Sequence, residues 1–590
     1  MFSSFARLIL FLGVIIIGVI GGFLYGELSD LPEVKTLEGY RPIESSIVYS
    51  SDGKVLAEYY VERRNFIPYY QIPERVKNAF VAIEDQRFYS HPGVDVIGIA
   101  RALYRDIRAG DMVQGGSTIT QQLTKMLFLK PERNVMRKVK EAILSIQIER
   151  MYTKDEIIGL YLNQAYFGNR AYGIEAAAQT YFGKSVQDLS VAEAALLAGL
   201  PKAPSAYSPF RNSAMAWTRR QLVLGKMKSN GYITDTEFQT AGTVPLPQKA
   251  SRRRYNAPYF VENLRQSLEK KYGEGLYTSG MKIYSTIDSN AQRVAEEAVK
   301  AGLQAMEKRG ITGVQAALVA IDQRNGHIKA MVGGKDFWNS PFNRATMALR
   351  QPGSAFKPFV YLTALRQGMT AEDTVTDSPI SFGGATAGSV WSPQNYDKEY
   401  HGPVPLKTAL ALSLNAATVR LASQVRIDNV IDTARECGIR SRLEPYLPLA
   451  LGASDLTLLE ITAAYSVFAT GNRTAPLPYT RILNRDGILM AEQRPSLQEV
   501  VPQETVEAMK TLLRAVVEYG TGRKAMELER TVYGKTGTTN DYSDAWFIGF
   551  DDTVTVGVWV GRDDHTPIGD KQTGAQAALP IWMDFMKAVP

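Results

Sequence analysis

The first apolar run of the chain is long enough to cross a lipid bilayer. Residues 8–26, LILFLGVIIIGVIGGFLYG, contain 19 residues without a charge, close to the roughly 20 that a spanning helix needs. Arg7 precedes the run and the first charges after it are acidic, which predicts that residues 1–7 form a cytoplasmic tail and the rest faces outward. A cleaved signal peptide is the competing interpretation. Because no convincing cleavage site follows, the pattern favours an uncleaved, single-pass anchor.

Beyond the anchor, the hydrophobic pattern predicts a helical domain. An Asp-Gly pair between two strand-like halves predicts a short hairpin over 45–62. Further along, apolar residues recur at helical spacing, as at Val139, Ile143 and Ile146. We therefore expect a mostly α domain over 45–230.

The rest of the chain predicts a linker region and a mixed domain. Residues 231–312 include a proline-bearing, basic stretch typical of interdomain linkers. In 313–590, alternating apolar runs flank Asn325-Gly326 near the start and Asp551-Asp552 near the end. Helical stretches lie between these two predicted hairpins. One antiparallel sheet assembled from both ends would make this segment an α+β domain, and the chain a multidomain protein of α and α+β parts.

Composition excludes some classes of protein but does not identify one. A chain of 590 residues exceeds what one core usually organises. Its net charge of +7 fits an anionic partner such as a phosphate or a lipid surface. Cys437 is the single cysteine, so an intramolecular disulfide is excluded, and none of the four histidines has metal-ligand spacing with another. No metal site is predicted with certainty, and nothing indicates nucleic-acid binding.

Ser354 lies three residues before Lys357 in the stretch QPGSAFKP. On a helix the two residues share a face, and a lysine in a dry pocket beside another cation can lose its proton and act as a base. Serine is also a favoured helix cap, so this pair alone is weak. Two more motifs follow in order, Ser413-Leu414-Asn415 and Lys-Thr-Gly-Thr at 535–538. The three motifs in this order are typical of β-lactamases and penicillin-binding proteins.

The second half thus resembles the transpeptidase domain of penicillin-binding proteins. The resemblance implies that Ser354 attacks a peptidoglycan stem peptide ending in D-Ala-D-Ala, releases D-Ala and passes the acyl group to an amine, without a cofactor. β-Lactams would acylate the same serine. By the same resemblance Lys357 is the base, Ser413 relays the proton, and Asn415 binds the donor peptide. The residues implied to bind the terminal carboxylate are Lys535, Thr536 and Thr538. Gly537 is expected to leave room for a ligand backbone, and the backbone N–H groups of Ser354 and Thr538 to form an oxyanion hole.

Four motifs in the helical half resemble the glycosyltransferase domain of class A penicillin-binding proteins, whose fold is lysozyme-like. They are Glu84-Asp85 with Phe88, His91 and Gly93, then GGSTITQQ at 115–122, then Arg137-Lys138 with Glu141, then Tyr161-Leu162-Asn163. Each motif alone has an ordinary structural explanation, such as a helix cap or a surface ion pair. The four together are specific.

This resemblance implies polymerisation of lipid II into glycan strands, with inversion at the anomeric carbon. Glu84 would be the general base, and the pyrophosphate leaving group would need the cations Lys125, Arg137 and Lys138. Glu141 would orient these cations or hold a divalent metal such as Mg or Mn. The remaining substrate-binding candidates from the motifs are Ser117, Thr118, Gln121 and Asn163.

Taken together, the motifs predict a bifunctional peptidoglycan synthase of the bacterial cytoplasmic membrane with both catalytic domains outside. Its expected partners are lipid II, the glycan chain, stem peptides, β-lactams and other proteins of cell-wall synthesis. A D,D-carboxypeptidase or β-lactamase with an inactive first domain is one alternative; Leu414, where β-lactamases often have Asp, and the intact set around Glu84 argue against it. A β-lactam-sensing receptor is another, although seven residues before the anchor leave no room for a signalling domain.

Overall fold

The computed structural model describes residues 44–60, 63–64, 66–101, 117–129, 135–169, 171–249, 255–383, 390–539 and 541–589. The predicted anchor over 8–26, the tail before it and Gly115-Gly116 lie outside these residues. Within the described ranges, no helix combines the length and apolar character needed to cross a membrane. The chain forms two compact units, the first mainly from Tyr60–Arg253 and the second from Ser46–Tyr59, Arg254–Leu276 and Gly280–Pro590.

The first unit is mostly helical, as predicted. Its helices are α1 (Glu74–Glu84), α2 (Ile119–Phe128), α3 (Val135–Met151), α4 (Lys154–Gln164), α5 (Ile174–Phe182), α6 (Val191–Gly199), α7 (Ser213–Ser229) and α8 (Asp235–Thr243). Capping boxes, in which a Ser or Thr and a residue three positions later satisfy each other's free N–H groups, begin α2, α4, α6 and α8. The apolar helix faces bury a core that includes Phe80, Phe88, Leu144, Tyr161 and Phe167.

The second unit is built around a five-stranded antiparallel sheet. Its strands are β6 (Gln315–Asp322), β7 (Ile328–Val332), β16 (Tyr533–Thr538), β17 (Asp544–Phe550) and β18 (Val554–Gly561), in the order β16-β17-β18-β6-β7. The prediction of one sheet from both ends of the segment is therefore confirmed. Helices α11 (Ser289–Lys308) and α19 (Leu579–Ala588) pack together and share one apolar core with this sheet.

Most other helices of the second unit come from the chain between β7 and β16. They are α12 (Lys357–Arg366), α13 (Leu406–Ala411), α14 (Asn415–Val425), α15 (Ile427–Glu436), α16 (Leu458–Thr470) and α17 (Gln503–Glu518), with the short α18 (Gly574–Ala577) after β18. Helix α16 packs on β18, and α17 packs on β16. This arrangement holds α12, with the serine turn before it, close to the edge strand β16.

A second five-stranded sheet departs from the predicted domain boundaries. The hairpin predicted over 45–62 forms as β1 (Ser46–Tyr49) and β2 (Val55–Tyr59), but β1 pairs in parallel with β5 (Lys282–Ser285), so the hairpin belongs to the second unit. Strands β13 (Tyr479–Leu483) and β14 (Leu489–Glu492) complete the order β14-β13-β5-β1-β2. The stretch 231–312, predicted as a linker, contributes α8, α9 (Pro258–Tyr272), α10 (Gly275–Thr278), β5 and α11.

The remaining strands are short and form two-stranded pairs. They are β3 (Arg63–Arg64) with β4 (Ala171–Tyr172), β8 (Thr374–Asp377) with β11 (Gly402–Pro405), β9 (Phe382–Gly383) with β10 (Val390–Trp391), and β12 (Asn472–Thr474) with β15 (Leu497–Glu499).

Candidate active sites

The three motifs of the second unit converge on the amine of Lys357. Ser354 lies in the 3-10 turn Gly353–Phe356, which leads directly into α12, so that Lys357 begins the helix one turn after the serine. The Lys357 side chain is fully buried. Its Nζ lies 2.6 Å from the carbonyl oxygen of Ser413, 3.2 Å from the Ser413 hydroxyl and 2.7 Å from Oδ1 of Asn415, all within hydrogen-bond distance.

Lys535 approaches the same hydroxyl from β16. Its Nζ is 3.0 Å from Oγ of Ser413 and 3.1 Å from the carbonyl oxygen of Thr536, so the Ser413 hydroxyl lies between two buried amines. Burial lowers the pKa of Lys357 well below its usual value, the charge of Lys535 lowers it further, and Asp377 opposes the shift. Burial also lowers the pKa of Lys535 to about 7. Lys535 can therefore exchange a proton near neutral pH, and the neutral form of Lys357 is favoured by its surroundings.

Ser413 has an unusual backbone conformation for a residue with a side chain. Its φ is +58°, in the left-handed region that costs a non-glycine residue about 1 kcal/mol or more. The neighbouring Asn415 is fixed by Asn395, whose Oδ1 accepts from the Asn415 N–H (2.7 Å), and by Gln394, whose carbonyl oxygen accepts from the Asn415 amide (2.7 Å). Asn395 belongs to none of the three motifs, so the sequence analysis missed it.

Gly537 packs against the turn that carries Ser354. A Cβ atom built on it would lie 2.3 Å from the carbonyl oxygen of Pro352 and 3.0 Å from both Ala355 and Trp546. The space beside Gly537 is thus occupied by the turn that carries Ser354. Gly353 mirrors this contact, because its own Cβ would lie 2.5 Å from the carbonyl oxygen of Thr538. The two glycines let the serine turn pack directly against β16.

In the first unit, Glu84 lies at the end of α1 with two polar neighbours: Gln122, the last residue of the motif at 115–122, and Arg219, which lies outside the four motifs. Its Oε2 accepts from Nε2 of Gln122 (2.9 Å), and its Oε1 is 4.0 Å from Nη2 of Arg219 on α7. The next residue, Asp85, accepts from the His91 ring and from the N–H of Ile119 at the start of α2 (3.0 Å). Asp85 thereby fixes the end of α1 against α2. Contact between Arg219 and Glu84 depends on helix packing, which the sequence pattern does not reveal.

Glu141 is buried among cations on one face of α3. Its side chain is 1% exposed, its Oε2 accepts from Nη1 of Arg137 (3.0 Å), and its Oε1 pairs with Nζ of Lys138. Lys138 also donates to the hydroxyl of Ser117 (2.7 Å). Because the i, i+3 and i, i+4 spacings place these side chains together, the carboxylate holds the two cations in fixed positions. Lys125, the third predicted cation, is exposed on α2.

Three residues predicted to bind substrate make hydrogen bonds within the fold. Thr118 and Gln121 form the capping box of α2, and both side chains are buried. Asn163 uses its amide on the backbone: Oδ1 accepts from the N–H of Ile67 (2.9 Å), and Nδ2 donates to the carbonyl oxygens of Ile67 (2.9 Å) and Gly159 (2.8 Å). Buried amides satisfied in this way stabilise the framework around Glu84.

Comparisons with known proteins agree with both halves. The family model described as Transglycosylase matches residues 52–228, and the one described as Penicillin binding protein transpeptidase domain matches residues 316–587. Penicillin-binding protein 1A of Aquifex aeolicus is 40% identical over 98% of this chain and 91% of its own length. Penicillin-binding protein 1A of Neisseria meningitidis is 35% identical over 97% of this chain and 86% of its own.

A solved structure gives the same picture at the level of the fold. The crystal structure of penicillin-binding protein 1A from Haemophilus influenzae superposes with a TM-score of 0.68 at 25% identity, covering 93% of this chain and 92% of that one. Both domains, in the same order and over nearly the full length, are thus accounted for. The chain belongs to the class A penicillin-binding proteins, the bifunctional peptidoglycan synthases that join a glycosyltransferase to a β-lactam-sensitive transpeptidase.

Proposed function

We propose that Ser354 is the nucleophile of the transpeptidase reaction and Lys357 its base. The observation that carries this proposal is the burial of Lys357 beside Lys535, which favours a neutral amine with a free electron pair. The serine proton passes to Lys357 as Oγ attacks the carbonyl carbon of the penultimate D-Ala. The backbone N–H groups of Ser354 and Thr538 are the proposed donors to the resulting oxyanion.

Ser413 completes the proton path. Its hydroxyl contacts both lysine amines, so a proton taken up by Lys357 can reach the nitrogen of the leaving D-Ala through this hydroxyl. Lys535, together with Thr536 and Thr538, binds the terminal carboxylate of the donor, while Asn415 binds its peptide. The acyl-enzyme then reacts with an amine of a second stem peptide, which forms the cross-link. A β-lactam forms the corresponding ester with Ser354.

For glycan polymerisation, we propose that Glu84 is the general base. It removes the proton from the acceptor sugar hydroxyl, which displaces the lipid pyrophosphate in one inverting step. Gln122 and Arg219 hold and orient the Glu84 carboxylate. Arg137 and Lys138, fixed by Glu141, and the exposed Lys125 neutralise the leaving pyrophosphate.

The donor set around Glu141 does not fit a divalent cation such as Mg or Mn. Both carboxylate oxygens already contact Arg137 or Lys138, and within the described parts of the chain no three His, Cys, Asp or Glu side chains gather as metal ligands would. We propose that these cations themselves supply the positive charge. Polymerisation that persists in excess EDTA would support this proposal, and restoration by Mg or Mn alone would refute it.

We propose the bacterial cytoplasmic membrane as the location, with residues 8–26 as a single-pass anchor and both domains outside. Support comes from the sequence of the apolar run and from the substrate, since a lipid-linked sugar keeps its tail in the bilayer. Association with other proteins of cell-wall synthesis remains a prediction. Protease digestion of intact spheroplasts tests the orientation, because only outward-facing domains are then cut.

One experiment separates the two activities. The purified protein is incubated with lipid II, and the products are analysed for strand length and cross-links. Glu84→Gln should abolish polymerisation and leave penicillin acylation of Ser354 intact, and Ser354→Ala should do the reverse, so each variant is the folding control for the other. Loss of both activities in either folded variant would contradict the assignment. Release of D-Ala without cross-links would favour the carboxypeptidase alternative.

A further inference from the structure

A buried arginine holds the segment that leads into the serine turn. Arg350, four residues before Ser354, is 5% exposed. Its backbone N–H and C=O pair with Leu456 at 3.0 and 2.9 Å. The next carbonyl, that of Gln351, accepts from the indole N–H of Trp546 on β17 (2.9 Å). The path of the chain into the nucleophile is therefore fixed by hydrogen bonds on both sides.

The guanidinium of Arg350 is held by four different groups. It lies over the ring of Trp559, 5.1 Å from its centroid, and 3.5 Å from Oδ1 of Asp544. Its Nη2 donates to the carbonyl oxygen of Asp563 (3.2 Å), and its Nη1 is 3.0 Å from Nδ1 of His565. A guanidinium can only donate hydrogen bonds. Nδ1 of His565 must therefore be the acceptor, which requires that this nitrogen carry no proton.

We propose that His565 is a positioning residue whose neutral ring holds Arg350, and with it the Ser354 turn, and whose protonation releases that hold. A protonated ring would direct an N–H at the guanidinium and add a second positive charge beside it, so the hydrogen bond would be lost. The inference rests on the proposed role of Ser354 as nucleophile. In this proposal His565 contacts neither the substrate nor a catalytic lysine, and it makes the rate of Ser354 acylation depend on pH.

The surroundings of His565 are open to solvent and carry charges of both signs. The ring is exposed and lines two cavities, of about 470 and 370 Å³, so solvent protons reach it. Charges of both signs face it: Asp544 on β17, Asp541 and Asp570 in the larger cavity, Arg344 and Arg350 in the smaller one, and Arg562, Asp563 and Asp564 in its own loop. Histidine side chains in general change charge between about pH 5 and 8, which sets the range of the assay.

Two substitutions at the same position test this coupling. His565 has a φ of +61°, a conformation that Asn and Gly adopt more readily than other residues. His565→Asn keeps an acceptor near the position of Nδ1 but cannot titrate, whereas His565→Gly removes the acceptor without straining the backbone. The assay is the rate of penicillin acylation of the full-length protein in detergent between pH 5 and 8, with thermal unfolding of each variant as the folding control.

We expect His565→Asn to acylate within about twofold of the wild-type rate at pH 8 and to exceed it increasingly toward pH 5. His565→Gly should be slower than the wild type at pH 8, on the order of tenfold, the equivalent of one lost charge-assisted hydrogen bond, and this difference should shrink toward pH 5. Wild-type and Asn profiles of the same shape would overturn the inference while leaving the proposed function intact. A wild-type protein without a penicilloyl adduct on Ser354, by mass spectrometry, would overturn the proposed function and the inference with it.

Discussion

Gly537→Ala is the substitution that most directly tests how the serine turn is held. The added Cβ would lie 2.3 Å from the carbonyl oxygen of Pro352, and real Cβ atoms essentially never come closer than 3.0 Å, so the two must separate by about 0.7 Å. Neither atom is the end of a flexible side chain, because one is attached directly to the backbone of strand β16 and the other lies in the backbone before Ser354. The serine turn is therefore expected to move away from β16 by a similar distance.

A displacement of this size should affect chemistry more than folding. Overpacking by one methyl group costs about 1–3 kcal/mol, which a domain of this size can absorb. A misplacement of about 1 Å at a reacting centre can cost on the order of 100-fold in rate. We expect the first-order acylation constant for penicillin to fall by roughly ten- to 100-fold, with the initial binding constant nearly unchanged.

Stopped-flow kinetics with a fluorescent penicillin separates these two constants. Gly383→Ala, in strand β9 of the same unit, is the matched control because nothing lies within 4 Å of the added Cβ. Wild-type acylation by folded Gly537→Ala would refute the reasoning. A loss confined to binding would instead favour the sequence-based interpretation, in which the glycine makes room for the ligand.

Three further outcomes follow from the two sites. Because burial lowers the pKa of Lys535 to about 7, its charged form is lost as pH rises, and affinity for a carboxylate-bearing donor should fall about tenfold from pH 6 to pH 8; an analogue without the carboxylate should show no such fall. Arg219→Lys should lower glycan polymerisation, measured with lipid II, and leave Ser354 acylation unchanged, since lysine cannot reproduce the guanidinium contacts. Asn163→Ala should destabilise the first unit by on the order of 1–3 kcal/mol in thermal unfolding, because buried backbone groups at Ile67 and Gly159 lose their partners; an unchanged midpoint would show that the amide serves the substrate instead.

Local patterns predicted much of the transpeptidase site because its chemistry depends on short spacings. Ser354 and Lys357 are one helical turn apart, so their shared position follows from helix geometry alone. The order of the three motifs then identified Ser413 and Lys535. Asn395 and Arg350 could not be found this way, since their contacts depend on how distant segments pack.

The glycosyltransferase motifs show a different limit. A motif records which residues occur together and does not separate ligand-binding groups from those that form the fold. The cap of α2 is formed by Thr118 and Gln121, and Asn163 makes hydrogen bonds to the backbone. The contacts to Glu84 come from Gln122 and Arg219. The parallel pairing of β1 with β5 was likewise missed, because strand pairing over a long sequence distance leaves no local pattern.

The parallel pairing of β1 with β5 has a consequence for folding during synthesis on the ribosome. Ser46 and Met281, which meet where β1 joins β5, are 235 residues apart, a distance that a ribosome covers in roughly 10–50 s. During this interval the β1–β2 hairpin has no neighbouring strand, and Val48, fully buried in the finished sheet, is open to solvent. The hairpin must therefore be shielded or remain unformed until strand β5 has been synthesised. For the same reason, a transpeptidase fragment starting at residue 313 would lack three of the five strands in this sheet and would leave β13 as a bare edge prone to aggregation.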